Sequence, residues 1–260
     1  MGTMRRIKDS INFWLRIVLT YTFRPFFRLF SRDITDVLPR GTALVFAPHP
    51  DDETLGCGAT VARLAAGGRR VRIVCATDGG KASISRVISP ARLAAIRREE
   101  LPRAAARLGV RPYDVVMLNY PDGEADEHVD KLTRAFAGQI KTAAPELVLM
   151  PSPLEWSKDH RVVARACAAA MRQAGYKGMA LEYQVWFMPL GLLDLLAFWR
   201  LLRYRKVRAG EHLAAKRAAM AEHRSQVENL TGEPEWFMFD ERYLSLFMRP
   251  EEIFYERRGL

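Results

Sequence analysis

The chain has 260 residues, of which 49% are hydrophobic, enough for a large buried core, and this excludes a disordered protein. Its three cysteines, Cys57, Cys75 and Cys167, are scattered and form no C-x-x-C pair, which argues against a cysteine-based zinc site or a disulfide framework and fits a reducing, cytoplasmic compartment. The net charge of +10 lies in two apolar segments of +5 each, residues 1–40 and 200–208, so no nucleic-acid partner is expected: a basic nucleic-acid face would not usually carry such apolar company.

In chain order, Lys8, Asn12, Arg16, Thr20 and Arg24 recur every fourth residue among Ile7, Ile11, Trp14, Val18 and Tyr21. That pattern predicts an amphipathic N-terminal helix of interfacial character, ended by Pro25. Arg16 interrupts the apolar stretch, and no cleavage-site pattern follows, so a secretory signal is not expected. Residues 1–40 are set apart as a basic-apolar segment, and 41–260 as the main domain.

Val/Ile/Leu-rich runs at 42–47, 71–76, 114–118 and 146–150 suit strands buried on both faces of a parallel sheet. Helical patterns at about 54–67, 90–108 and 126–144 alternate with them, and Pro102 is expected to kink or split the second. A helix at 159–174, a strand near 180–187 and a helix near 211–228 follow. The stretch 185–208 is marked as an apolar-basic insertion, beginning "VWFMPLGLLDLLAFW" and ending "RLLRYRKVR". The fold class is α/β: a Rossmann-like layered fold with a mainly parallel sheet, plus the N-terminal helix and the insertion.

Ligands in such folds bind beyond the carboxyl ends of the strands. Four polar loops fall there: "PHPDDE" (48–53), "TDGG" (77–80), "YPDGE" (120–124) and "PSPLEWSKDH" (151–160). In the first, adjacent Asp51 and Asp52 repel unless a positive charge lies between them. A divalent cation held by His49 and Asp52 removes that conflict. His160 on the fourth loop is the candidate third ligand, and two histidines with one carboxylate leave coordination open, as in catalytic zinc sites. Iron(II) takes the same ligands, so both Zn2+ and Fe2+ remain open. Asp51, beside a ligand, is then the candidate general base toward water on the cation.

With these residues in view, the chain resembles the LmbE-like (PIG-L-type) zinc N-deacetylases. "PHPDDE" with "GCG" (56–58) is similar to that family's first motif, "DHR" (159–161) stands where its second belongs, and "RREEL" (97–101) resembles its R-x-x-E helix. The resemblance implies His49, Asp52 and His160 as ligands, Asp51 as base, Arg97 and Asp122 as sugar contacts, and a closing helix (216–226) bringing His223 and Gln226 near the site. It also marks a departure. The family's second motif reads H-P-D-H, but Ser157 holds the place of the first histidine, leaving Asp159 without the imidazole it would orient. Either Lys158, His223 or the metal alone then polarises the carbonyl, or turnover is slow.

The expected activity is metal-dependent removal of acetyl from an N-acetylated amino sugar of N-acetylglucosamine type, carried on a lipid at the cytoplasmic membrane face. The partners are that substrate and an anionic membrane surface touched by the two basic-apolar segments. An amidase acting on a larger conjugate, and a non-catalytic glycolipid-binding protein of the same fold, are the alternatives. Sequence is silent on the oligomeric state.

Overall fold

The computed structural model describes residues 28–186 and 203–257. The predicted interfacial helix and most of the apolar stretch 185–199 lie outside them. One eight-stranded sheet organises the described residues: β1 (Arg32–Asp33), β2 (Ala43–Ala47), β3 (Val71–Thr77), β4 (Val115–Tyr120), β5 (Leu147–Pro151), β6 (Met179–Tyr183), β7 (Tyr204–Arg208) and β8 (Glu251–Arg257). Its spatial order is β1-β7-β8-β6-β5-β2-β3-β4. All neighbours run parallel except the pairs β6/β8 and β7/β8.

The main helices are α1 (Asp52–Ala66), α2 (Pro90–Arg107), α3 (Val129–Ala143), α4 (Lys158–Gln173) and α5 (His212–Glu222), followed by the short α6 (Arg224–Val227) and α7 (Glu241–Ser245). Strand β2 is buried throughout, and its side chains alternate between two cores. Ala43 and Val45 join the core that includes α1, α2 and α5, whereas Leu44 and Phe46 join the one under α3 and α4. A strand covered on both faces needs apolar residues at every position, which is why the run carries no alternation.

The four predicted inner strands and the helices between them are present, so the mainly parallel α/β sheet is the observed fold. Four details differ. Helix α2 runs through Pro102 without a split: the carbonyl that loses its partner belongs to Arg98, which is exposed and can turn to water. The predicted helix 211–228 breaks at His223, whose φ/ψ of −79°/57° leave the helical region. The segment predicted to begin a helix at 126 opens with a 3-10 turn at Ala125–His128. The last part of the predicted insertion is sheet: Tyr204–Arg208 pairs with β1 and β8.

That last difference changes the meaning of the basic cluster at 200–208. Arg205 is buried and bonded to Glu256, and Arg208 pairs with Asp33 and Asp36. These cations are committed to the sheet edge. No helix of the described residues is long and apolar enough to cross a membrane.

Strands β3 and β4 lie to one side of β2, and β5 and β6 to the other. The chain reverses its direction of advance between β2 and β5, and the loops that leave their carboxyl ends splay apart to form a crevice. Those two loops carry "HPDDE" and "PLEWSKDH".

Candidate active site

The turn after β2 is tight and strained. Asp51 sits at φ 137°, ψ −25°, a conformation a non-glycine residue rarely adopts. Its amide donates to Glu53 Oε2 at 3.1 Å, and its carbonyl accepts from Leu55 N at 2.8 Å. Although Asp51 stands at the N-cap of α1, its side chain makes no capping bond. It pairs instead with Arg97 Nη2 at 3.0 Å.

The motif "GCG" is also explained by α1. At Cys57 the helix breaks, with φ −147° and ψ 18°. Ala59 N and Thr60 N donate to the buried carboxylate of Glu252, at 2.9 and 2.7 Å, rather than to helix carbonyls. The freed carbonyl of Leu55 accepts from Lys216 Nζ at 2.8 Å, and Lys216 in turn pairs with Glu252 at 2.7 Å. Gly56 is needed because a Cβ there would run into the ring of Tyr183. The first turn of α1, which carries Asp52, is thereby a separate short piece set by its tertiary neighbours.

Three donor groups converge below the crevice. His49 Nδ1 lies 3.1 Å from Asp52 Oδ2, and His160 Nε2 lies 3.1 Å from the same oxygen. His49, Asp52 and His160 can each offer one atom within 4.8 Å of the others. His160 is fully buried, yet neither of its ring nitrogens makes a hydrogen bond. Its Nε2 and the Asp52 oxygen are close without pointing at each other, as donors do when they share a third partner. An unpartnered buried nitrogen is costly, and a divalent cation at the shared point satisfies it, so this donor set fits a metal.

The far side of His49 is acidic. Its Nε2 lies 3.1 Å from Asp122 Oδ1 and 3.4 Å from Asp159 Oδ2. Asp159 Oδ2 also accepts from Gly123 N at 2.7 Å, and Asp122 Oδ2 accepts from Lys81 N at 2.9 Å. A second donor set, His49, Asp122 and Asp159, therefore overlaps the first through one imidazole.

Charge and burial set the protonation of these groups. Burial alone would lower the His49 imidazole, but Asp122, Asp159 and Asp52 outweigh it and hold it well above its ordinary value. Burial likewise opposes His160, whose neighbour Asp52 nonetheless pushes it up to about 9. Asp52 is held low against its own burial by the two imidazoles. Asp122 is held down to about 2 by His49, again against burial. Asp51 goes the other way: burial, with Asp52 adding to it, outweighs the Arg97 guanidinium and pushes it up to about 7.

The cavity over these groups measures about 610 Å³. Its floor is His49, Asp51, Asp52, Asp122 and Asp159, its walls include Lys81, Lys158 and Arg161, and Trp156, Trp186, Phe237 and Phe239 give it an aromatic side. Ser157 lines it as well, at the N-cap of α4 but without a capping bond.

Two residues expected at the substrate make buried contacts of their own. Arg97 touches the cavity but is only 2% exposed, and its Nη1 and Nη2 bond Asp51 and the carbonyls of Gly79 and Pro50. His223 is fully buried and is not part of the cavity lining; its Nε2 lies 3.3 Å from Glu53 Oε1. Gln226 does reach the cavity, because Glu100 on α2 accepts from Ser225 N and Oγ at 2.8 and 2.7 Å and so fixes the start of α6. Sequence reading passed over Glu53, Glu100 and Glu155. All three are acids inside motifs it did quote, and their near-total burial is the signal that sets them apart.

With this geometry, the likeness to known proteins is specific. Residues 44–171 match the profile of the family described as PIG-L: GlcNAc-PI de-N-acetylase. A diacetylchitobiose deacetylase of Thermococcus kodakarensis is 33% identical over 121 residues, 45% of this chain and 44% of that protein, so the chain spans under half the length of that relative. A 1D-myo-inositol 2-acetamido-2-deoxy-alpha-D-glucopyranoside deacetylase of Catenulispora acidiphila is 27% identical, with 73% of this chain and 80% of that one aligned. The solved structure of N,N'-diacetylchitobiose deacetylase from Pyrococcus horikoshii shares the fold at TM-score 0.63 and 23% identity, covering 96% of this chain and 92% of that one. The matched stretch holds the turn after β2, the Arg97 helix, the Asp122 loop and the Asp159–His160 helix start. Over residues 44–171 this chain therefore resembles the PIG-L de-N-acetylases in both sequence and fold.

Proposed function

We propose that the protein hydrolyses the acetamide of an N-acetylated amino sugar, releasing acetate and the free amine. The observation that carries this reading is the convergence of His49 Nδ1, Asp52 and His160 Nε2 beneath an open cavity, with the buried, unstably charged Asp51 next to them. His49, Asp52 and His160 hold a divalent cation, zinc or iron(II). When bound, that cation polarises the amide carbonyl and lowers the pKa of water beside it.

The chain's own residues supply the rest. Asp51 accepts the proton of the attacking water, and a carboxyl group near 7 is matched to that task at neutral pH. Arg97 holds Asp51 in place against its strained backbone, acting on the base and not on the sugar. Asp122 and Asp159 back the imidazole of His49, fixing which nitrogen faces the cation. The C–N bond then breaks, and the amine leaves with a proton returned from Asp51. His223 acts through Glu53, which braces the turn.

The N-acetylglucosamine-type substrate follows from what the named relatives act on, together with a cavity large enough for more than one sugar ring. A membrane-bound source for that sugar rests on sequence alone, in residues 1–31 and the apolar-basic stretch 185–208; flotation with anionic liposomes tests it. The activity itself is tested by acetate release from N-acetylglucosamine glycosides with added zinc or iron. Absence of release with either metal, from protein that binds it stoichiometrically, would overturn the hydrolase reading.

A further inference from the structure

Glu155 has no place in the mechanism above, yet it lies against a proposed ligand. It is 0% exposed, its Oε1 accepts from Val185 N at 2.5 Å, and its Oε2 has no hydrogen-bond partner. The same Oε1 lies 3.6 Å from Nδ1 of His160, the nitrogen opposite the one that faces Asp52. A buried carboxylate with an idle oxygen is expensive to keep, and an amide or apolar residue would fill the space at lower cost.

The carboxylate is held by a frame independent of the histidine. Glu155 O accepts from Arg161 Nη1 at 2.9 Å, and Trp156 N donates to Trp186 O at 3.2 Å, so the loop after β5 is tied to the chain leaving β6. Tyr243 Oη secures the same chain through Val185 O at 3.0 Å. His49 shows the matching arrangement, one nitrogen toward Asp52 and the other toward the acids Asp122 and Asp159.

We infer that Glu155 is the positioning residue of His160, accepting its Nδ1–H and thereby aiming Nε2 at the point shared with His49 and Asp52. An imidazole that binds a cation through Nε2 must carry its proton on Nδ1. A carboxylate at that position selects this tautomer, fixes the ring and makes the ligand more basic. The separation of 3.6 Å exceeds a hydrogen bond, so the two groups must draw closer when the cation is bound. The inference rests on the metal-site reading given above.

The test is the zinc dissociation constant of the full chain, measured by competition with a chromophoric chelator. Glu155→Ala is expected to weaken zinc binding by about 10–100-fold. Tyr243→Phe loosens the same chain segment without touching His160 and is expected to leave the affinity unchanged. Should the alanine variant not fold, Glu155→Gln is examined by 15N NMR of the zinc-loaded protein. The Nδ1–H resonance of His160 is expected to shift, because a neutral amide replaces the carboxylate. Wild-type affinity in Glu155→Ala, an equal loss in Tyr243→Phe, or an unmoved resonance in Glu155→Gln would each overturn the inference. A wild-type chain that takes up no zinc or iron fails at an earlier and separate point, the metal site itself.

Discussion

Helix α1 carries two buried charged clusters, one at its first turn and one at its break, and they are finished differently. At the break, Lys216 and Glu252 answer each other, and they also bond Leu55 O, Ala59 N, Thr60 N and Thr60 Oγ1, so that every polar side-chain atom of the pair has a partner. At the first turn, four aspartates face one guanidinium and two imidazoles, and both nitrogens of His160 and Asp159 Oδ1 are left without hydrogen bonds. The completed cluster holds a distorted helix in shape. The incomplete one requires something the chain does not contain. Burial alone does not separate a structural charge cluster from a functional one; unspent hydrogen-bonding capacity does.

The largest effect is expected at Asp51. Asp51→Asn is expected to keep its metal and lose about 10²–10⁴ in turnover, because the amide cannot accept the proton of the attacking water. Metal analysis beside acetate release checks this, and near-normal turnover would move the base elsewhere. His49→Ala, Asp52→Ala and His160→Ala should instead lose the metal itself.

At the break, the expected loss is in stability. Lys216→Met strands the Glu252 carboxylate and should cost about 3–5 kcal/mol, whereas Lys216→Met with Glu252→Gln should cost less than the two single changes summed. Denaturant unfolding of the cycle measures it. If the two changes simply add, the ion pair is not the unit that holds the break.

Ser157 sharpens the contrast from the incomplete side. Asp159 Oδ1 is buried without a hydrogen bond, and Ser157 lines the cavity without capping α4, so Ser157→His sacrifices little and gains an orienting acid. Turnover should rise, by up to the 10²–10³ that one oxyanion donor is worth. An unchanged rate would mean that the carbonyl is already served, with Lys158 the next residue to remove.

The smallest effect is expected at Asp114, a buried carboxylate whose partners Arg70 and Arg111, unlike Lys216, are about half exposed. Burial would raise its pKa, but Arg70 and Arg111 lower it, with bonds of 2.7 and 2.8 Å. A carboxyl group lowered on folding adds stability above its unfolded pKa, and that stability disappears as pH falls through the folded value. Asp114→Asn should therefore cost about 1–3 kcal/mol near neutrality and nothing at strongly acidic pH. A cost that does not change with pH would mean packing, not charge, is what Asp114 provides.

Residues close together in sequence were enough to locate the inner sheet and the candidate metal-binding turn. Continuous apolar runs determine strands covered on both faces, and the charge conflict between Asp51 and Asp52 is visible without a fold because adjacent residues cannot separate. His160 could be added because it follows a strand and so reaches the same rim. What the sequence left undecided depends on partners far along the chain. The pairing of Arg97 with Asp51 is one such case, because only the fold brings the strained turn 46 residues earlier to its guanidinium. Glu252 enters the break in α1 from nearly two hundred residues away, and β7 and β8 complete a sheet edge whose strands are amphipathic and charged. Glu155 looks in sequence like any acid in a polar loop. Only the packing of β6 beside β5 removes it from water and sets it against His160, because desolvation is a property of the assembled structure and not of the residue.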